Sequence, residues 1–347
     1  MRARANRRAR LKRARSLRCE PTRRTNVAPF IRISRERIPK ISLVITRDSA
    51  AFLEFARTLA PDFGPATARA AFLVSPDGFV RTDESAEDNR YMAEADAYDS
   101  ARAARQHREL HRALTSVIPT ITFAGDPEAP DAVFPNNVFA TTASGRYVVG
   151  RMHHPVRRVE ADRTDIRNFF GEVMGYEEVD LSTQPHACEL TGALVVDRAR
   201  GIGFVGLSER CDEEGARLMH EALGLRATLM FDLTPDEYHT NVVLAVLAGR
   251  AAIVGPHAFA DPAVVDAIAS LYQGRTILLE PEEHLAFVGN SISLSEDVVW
   301  MSAGADAALT DEHRAELADA GFRVESVELD GIEVAGGSLR CCVAEIF

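Results

Sequence analysis

The sequence predicts an α/β protein: five strand–strand–helix–strand units closed into a pseudo-symmetric α/β propeller. Three observations predict it. Helix starts recur about every fifty residues, β-rich runs flank each helix in one order, and the C-terminal run is left to pair with the first unit. Candidate N-cap aspartates stand at Asp162, Asp212, Asp261 and Asp311, at intervals of 50, 49 and 50 residues. A carboxylate there accepts an orphan backbone N–H and complements the helix dipole. Each helix stops at a glycine suited to a left-handed cap: Gly175, Gly224, Gly274 and Gly321.

The elements follow in order. AFLVS (71–75) leads into a helical stretch from Asp83 to Ser116, with acids in its first turns and Arg/His in its last. VFATT and RYVVGR (138–151) precede the helix at 162. ALVVD (193–197) and GIGFVGLS (201–208) precede the helix at 212, and ATLMF (227–231) follows it. VVLAVL (242–247), AAIVG (251–255) and TILL (276–279) frame the next helix. SISLS (291–295), VVWMSA (298–303) and FRVESV (322–327) frame the last, and RCCVAEIF (340–347) remains for the first unit. Two strands ahead of each helix do not suit a doubly wound sheet, where strand and helix alternate.

Composition bounds the function. Of 347 residues, 46% are apolar and 26% charged, an ordinary globular balance. The net charge of −11 hides a split. Residues 1–40 hold thirteen Arg and two Lys against Glu20 and Glu36, a net of +13, which leaves −24 for the remainder. So acidic a body is a poor nucleic-acid binder, and only the basic arm could take a polyanion. The arm reads as a solvated appendage or as translation from a start codon set too far upstream. We expect residues 1–66 to form a basic, disordered extension and residues 67–347 a single catalytic domain. No apolar run approaches the ~20 residues that span a bilayer.

The five cysteines, Cys19, Cys188, Cys211, Cys341 and Cys342, are odd in number and scattered, with no zinc-type spacing. This points to a cytoplasmic protein without a metal or other cofactor.

One register of the repeat carries chemistry. Just before the first strand of each unit stand Asn137, Glu189, His239, Asn290 and Cys341, at intervals of 52, 50, 51 and 51 residues. In a closed ring these positions converge on the axis. Taken singly, each has a plain reading: a satisfied histidine, a solvated acid, turn asparagines, a small buried thiol. Taken together they are the parts of a Cys–His–acid nucleophilic site.

At these residues the chain resembles a known family. DAVFPNNV (131–138), ELTGALVVD (189–197), LSERCD (207–212), EYHTNVV (237–243) and GGSLRCCVAEIF (336–347) look like the guanidino-group-modifying superfamily. It groups arginine deiminases, dimethylarginine dimethylaminohydrolases, amidinotransferases and arginine dihydrolases. The match is best with the bacterial amidinotransferase-like branch that includes citrulline-utilisation hydrolases. The resemblance implies the fivefold propeller already derived, no cofactor, and a small guanidino or ureido amino acid as partner. A homodimer is compatible with it.

Carried over, Cys341 is the nucleophile, His239 the general acid/base, and Glu189 the carboxylate that orients His239. Asp131 matches the acid that binds the guanidino group, and Phe134, Asn137 and Asn290 complete the substrate site. Arg151, Arg158 and Arg210 fall where related enzymes hold the substrate carboxylate, although a solvated surface explains these three equally well. Cys342 would face the packing, as strand neighbours do.

Asn137 departs from the pattern, because deiminases and dimethylarginine hydrolases carry an acidic pair there. A guanidinium only donates hydrogen bonds, whereas an amide both donates and accepts and so tolerates a ureido carbonyl. The expectation is a cysteine-dependent hydrolase of a guanidino or ureido group. The alternatives are an amidinotransferase, and then an arginine deiminase or dimethylarginine hydrolase.

Overall fold

The computed structural model describes residues 44–347, and these carry five separate sheets. The first holds Phe139–Thr141, Arg146–Val149 and Glu177–Asp180, with an antiparallel pair followed by a parallel one. The second repeats that order in Leu194–Asp197, Ile202–Leu207 and Ala227–Asp232. The third does so in Leu244–Leu247, Ala251–Val254 and Thr276–Leu278. The fourth pairs Val298–Ser302 in parallel with Arg323–Val327. In the fifth, C-terminal Ala344–Ile346 runs antiparallel to Ala70–Val74, which pairs in parallel with Thr120–Phe123. The end of the chain thus closes onto its first long strand, as expected.

Local chemistry explains the repeat. Within a unit, two strands joined by a tight turn are antiparallel, and the helix between second and third makes those two parallel. At the turn between Leu247 and Ala251, Ala248 and Gly249 are both left-handed, with φ of 45° and 64°. Two positive-φ residues form the centre of a tight turn that Arg250 N closes on Leu247 O at 3.0 Å, with a twist that suits the flanking strands. Asp212 and Asp261 cap their helices as predicted, accepting from Gly215 N and Ala263 N.

Several expectations are corrected. Asp162 caps nothing: it ends a 3-10 turn, Val159–Asp162, and the next helix starts at Thr164. The last helix is capped by Thr310, whose hydroxyl accepts from His313 N, so Asp311 is its first residue instead. SISLS forms no strand; Ile292 makes only a backbone bridge to Trp300. Its serines bond elsewhere, Ser291 to Val288 O and Ser293 to Ala248 N, in competition with a ladder.

The helix expected over 83–116 is broken into Asp83–Ala86 and Ser100–Thr115. Between them, the Asn89 side chain accepts from Tyr91 N, a turn chemistry that ends helices. The expected boundary at 66/67 falls inside the fold. Val44–Thr46 pairs in parallel with the Ala227–Leu229 stretch, at the edge of the second sheet. The following helix, Ser49–Ala56, buries Phe52 and Ala56 against Phe204 and Leu229. A three-residue strand whose partner lies some 180 residues away leaves no local signal. The expectations for residues 1–43, including Cys19, lie outside the described residues.

A single helical turn comes before the first strand of three sheets: Leu190–Ala193, Thr240–Val243 and Leu339–Cys342. Glu189 and His239 are the residues that start two of these turns, and Cys341 lies within the third. At Glu189, His239 and Cys341 the register read from sequence therefore sits on helical turns, not directly on strand ends.

Candidate active site

Cys341, Asp131, Phe134, Asn137, Tyr238 and Arg157 line one cleft of about 280 Å³. Cys341 is almost wholly buried, and its backbone N–H donates to Ser338 O at 3.1 Å. Its sulfur lies 3.3 Å from Asn290 Nδ2 and 3.6 Å from Asn241 Nδ2. Asn290 Oδ1 also accepts from Cys341 N at 3.4 Å, so one amide side chain brackets the cysteine with donor and acceptor. Burial pushes the thiol pKa up, and the Asn290 hydrogen bond offsets this only in part. Cys342 is buried among Val298, Leu339 and Val343. It turns away because these residues form a helical turn, rather than by strand alternation.

His239 and Glu189 form a wholly buried pair, with Nε2 at 2.8 Å from Oε2. Burial alone would raise Glu189, but Arg210, His239 and Arg157 together hold it well below the usual carboxylate range. Its Oε1 accepts from His153 N at 3.0 Å. An ionised carboxylate can only accept, so Nε2 carries the histidine proton and Nδ1 keeps a lone pair. Nδ1 is buried and has no hydrogen-bond partner among the described residues. Burial lowers the His239 pKa against the opposing pull of Glu189, which keeps the ring neutral at neutral pH.

Gly192 shows how tightly the parts converge. A Cβ there would lie 2.7 Å from Asn137 Oδ1 and 2.8 Å from His239 Cε1. Only glycine lets that turn pass so close to both side chains. Gly337 plays a similar part, since a Cβ on it would meet Phe134 at 3.0 Å and Cys341 Cβ at 3.3 Å. Asp131 is buried in the cleft wall and accepts from Ser85 Oγ at 2.6 Å and Thr82 Oγ1 at 3.1 Å.

The three arginines separate. Arg210 lines the cleft, but as part of a network: its fork grips Asp88 at 2.6 and 2.5 Å and reaches Glu189 at 3.4 Å. Arg151 and Arg158 do not reach the cleft. Arg151 donates to Ser182 O, Arg158 to Met152 O and His153 O, and both line a different surface hollow. The arginine that reaches the cleft is the neighbour, Arg157. It is buried and doubly bonded to Glu160 at 2.7 and 2.9 Å. On a helical turn, adjacent residues point about 100° apart, so a one-residue offset changes the face.

Sequence reasoning also missed Asn241 and the 87–99 connection. Asn241 lies two residues after His239 in the quoted EYHTN run, so position in the motif was an available signal. The connection carries Asp88, Asn89 and Met92 to the site, and a helix had been expected there. It is strapped down by Arg90 and Tyr91, whose guanidinium and hydroxyl both donate to Glu237, at 2.5 and 2.8 Å. The Tyr91 hydroxyl also lies 3.0 Å from His284 Nε2.

A buried thiol, a His–Glu pair and a cleft acid on five like sheets define a guanidino-group-modifying enzyme, a hydrolase of C–N bonds. The comparisons with known proteins agree. The family model described as N,N dimethylarginine dimethylhydrolase, eukaryotic, matches residues 75–347, and the chain belongs to that family. A curated relative, the N(G),N(G)-dimethylarginine dimethylaminohydrolase of Mycobacterium tuberculosis, is 28% identical over 223 residues, covering 62% of this chain and 68% of that protein. Among solved structures, the N-terminal domain of an arginine dihydrolase from the ornithine–ammonia cycle in cyanobacteria superposes with a TM-score of 0.70. It is 20% identical and covers 80% of this chain and 97% of its own. A dimethylarginine dimethylaminohydrolase adduct with S-methyl-L-thiocitrulline superposes with a TM-score of 0.62 at 21% identity, covering 80% and 99%. At these identities the two structures speak to the fold.

Proposed function

We propose that this chain is a cysteine-dependent hydrolase acting on the guanidino group of an arginine-like amino acid, through a covalent intermediate on Cys341. One observation carries the reading: Cys341, held by two amides, shares the cleft with Asn137, and Gly192 lies against both Asn137 and the His239 ring. That ring donates its Nε2 proton to Glu189 and keeps a lone pair to spare on Nδ1. Four sheets that share an antiparallel and a parallel pair, a fifth with the parallel pair alone, and the last strand closing on the first support reading the fold as a five-bladed α/β propeller with these turns about its axis.

In the first step the Cys341 thiolate adds to the central guanidino carbon. The C–N bond to the departing amine breaks as that nitrogen takes a proton through His239, which leaves a thiouronium. Water then gives a proton to His239 Nδ1 and adds to the same carbon, and collapse expels the thiolate to leave a ureido product. The Cys341 proton goes first to His239 Nδ1, which passes it to the departing nitrogen. A cationic guanidinium beside the sulfur lowers the thiol pKa. At collapse the remaining hydroxyl proton returns to the sulfur, while the proton taken from water leaves with the amine. Asp131 supplies the anionic wall for that cation.

Asn137 favours a second, finer reading, in which the ureido product is also a substrate. The amide accepts from a guanidinium N–H and donates to a ureido carbonyl, so both stages fit one site.

Incubating the protein separately with arginine, asymmetric dimethylarginine and citrulline, and measuring ammonia, dimethylamine, citrulline and ornithine, tests both readings. Amine release without an added acceptor is expected; turnover that requires an acceptor amine would replace the hydrolase with an amidinotransferase. Ornithine from citrulline, lost in Asn137→Asp, is the expected mark of the two-stage reading.

A further inference from the structure

A second, solvent-open hollow shares no lining residue with the substrate cleft. Its walls come from positions a few residues further along each unit: Thr191 after Glu189, Leu244 after His239, Ser293 after Asn290 and Glu345 after Cys341. Arg198, Arg340 and Glu345 are part-exposed, so the cavity is reached from solvent.

The charges in it do not balance. Arg340 donates to Glu345 at 2.9 Å and to Val343 O at 2.8 Å, so the one carboxylate is already committed. Arg198 donates to Thr141 O at 3.0 Å and lies 4.2 Å over the Phe347 ring. Among the described residues no acid forms an ion pair with it. Desolvation of its guanidinium pulls the pKa down to about 10, with Glu345 pulling the other way and Arg340 adding to the fall, whereas Arg157 and Arg210, buried beside acids, are raised. It stays protonated at neutral pH, and its remaining N–H groups have no acceptor among the described residues. Ser293 Oγ accepts from Ala248 N at 2.7 Å, which leaves its own proton to donate. Leu244, Val246 and Ile292 add apolar wall.

We propose that this cavity is a binding site for a small carboxylate, separate from the catalytic cleft. Arg198 and the Ser293 hydroxyl take the carboxylate oxygens, and Leu244 and Ile292 cover a short aliphatic chain. A charged hydrogen bond to a guanidinium is the strong kind, and the net charge of Arg198, Arg340 and Glu345 selects a monoanion.

Calorimetric titration of the full chain with butyrate, in chloride-free buffer, tests this. One saturable site per chain is expected, unchanged in Cys341→Ser. Arg198→Gln weakens it by about tenfold or more, the factor a charged hydrogen bond commands. Glu345→Gln removes the competing acid and tightens it, so the two variants move in opposite directions and misfolding cannot mimic both. Absence of saturable binding, loss in Cys341→Ser, equal affinity in Arg198→Gln and Glu345→Gln, or displacement of butyrate by equimolar chloride would each overturn the proposal.

Discussion

The Nε2 of His239 lies 2.8 Å from Oε2 of Glu189, with both side chains out of reach of solvent. This contact fixes a tautomer. Because Glu189 is held ionised, the histidine proton sits on Nε2 and the lone pair on Nδ1.

Glu189→Gln keeps the shape but makes the acceptor an amide that can equally donate, so the tautomer is no longer imposed. A fall in kcat of about 10²-fold or more is expected, in line with losing general acid–base catalysis. Steady-state kinetics checks it, and a kcat within twofold of the parent would remove the tautomer argument.

The two adjacent cysteines part company. Cys341→Ser abolishes turnover, and Cys342→Ser, a change within the buried cluster of Val298, Leu339 and Val343, keeps most of it. Intact-mass analysis of the protein quenched during turnover should find an adduct in the parent and in Cys342→Ser but none in Cys341→Ser. The reverse pattern would refute the assignment.

The pH behaviour follows from two buried groups. Burial raises the Cys341 thiol above the ordinary value of about 8.5, so at pH 7 the unliganded thiolate is scarce. Iodoacetamide should therefore label Cys341 slowly at pH 7 and faster as pH rises past 9, whereas a cationic haloacetamidine should label it fast at pH 7. His239 moves the other way. Its pKa is below the ordinary value of about 6.5, so the neutral, active form persists above that pH, and kcat/KM declines only as pH falls below it. Equal labelling rates for the neutral and cationic reagents at pH 7 would show that the thiolate is preformed.

Gly192→Ala places a methyl 2.7 Å from Asn137 Oδ1 and 2.9 Å from His239 Nδ1. One of them must move. A misplacement of about 1 Å in a catalytic group costs on the order of 10²-fold in rate. The expected result is that loss in kcat with a change in thermal midpoint of only a few degrees. Unchanged kcat would mean that the turn is slack.

The sequence by itself determined the strand–strand–helix–strand order and the register of Asn137, Glu189, His239, Asn290 and Cys341. These are read from hydrophobic periodicity and capping residues, which are local along the chain. It also carried the family, through motifs around those residues. Tertiary structure alone decided the rest. Arg157 rather than Arg158 faces the cleft because the direction of a side chain on a short turn depends on which face packs inward. Val44–Thr46 joins the second sheet through a pairing some 180 residues distant, and Asn89 ends the expected long helix so that Asp88 can reach Arg210. Such contacts join segments far apart in the chain, and their free energy comes from burial and pairing that no local window of sequence contains.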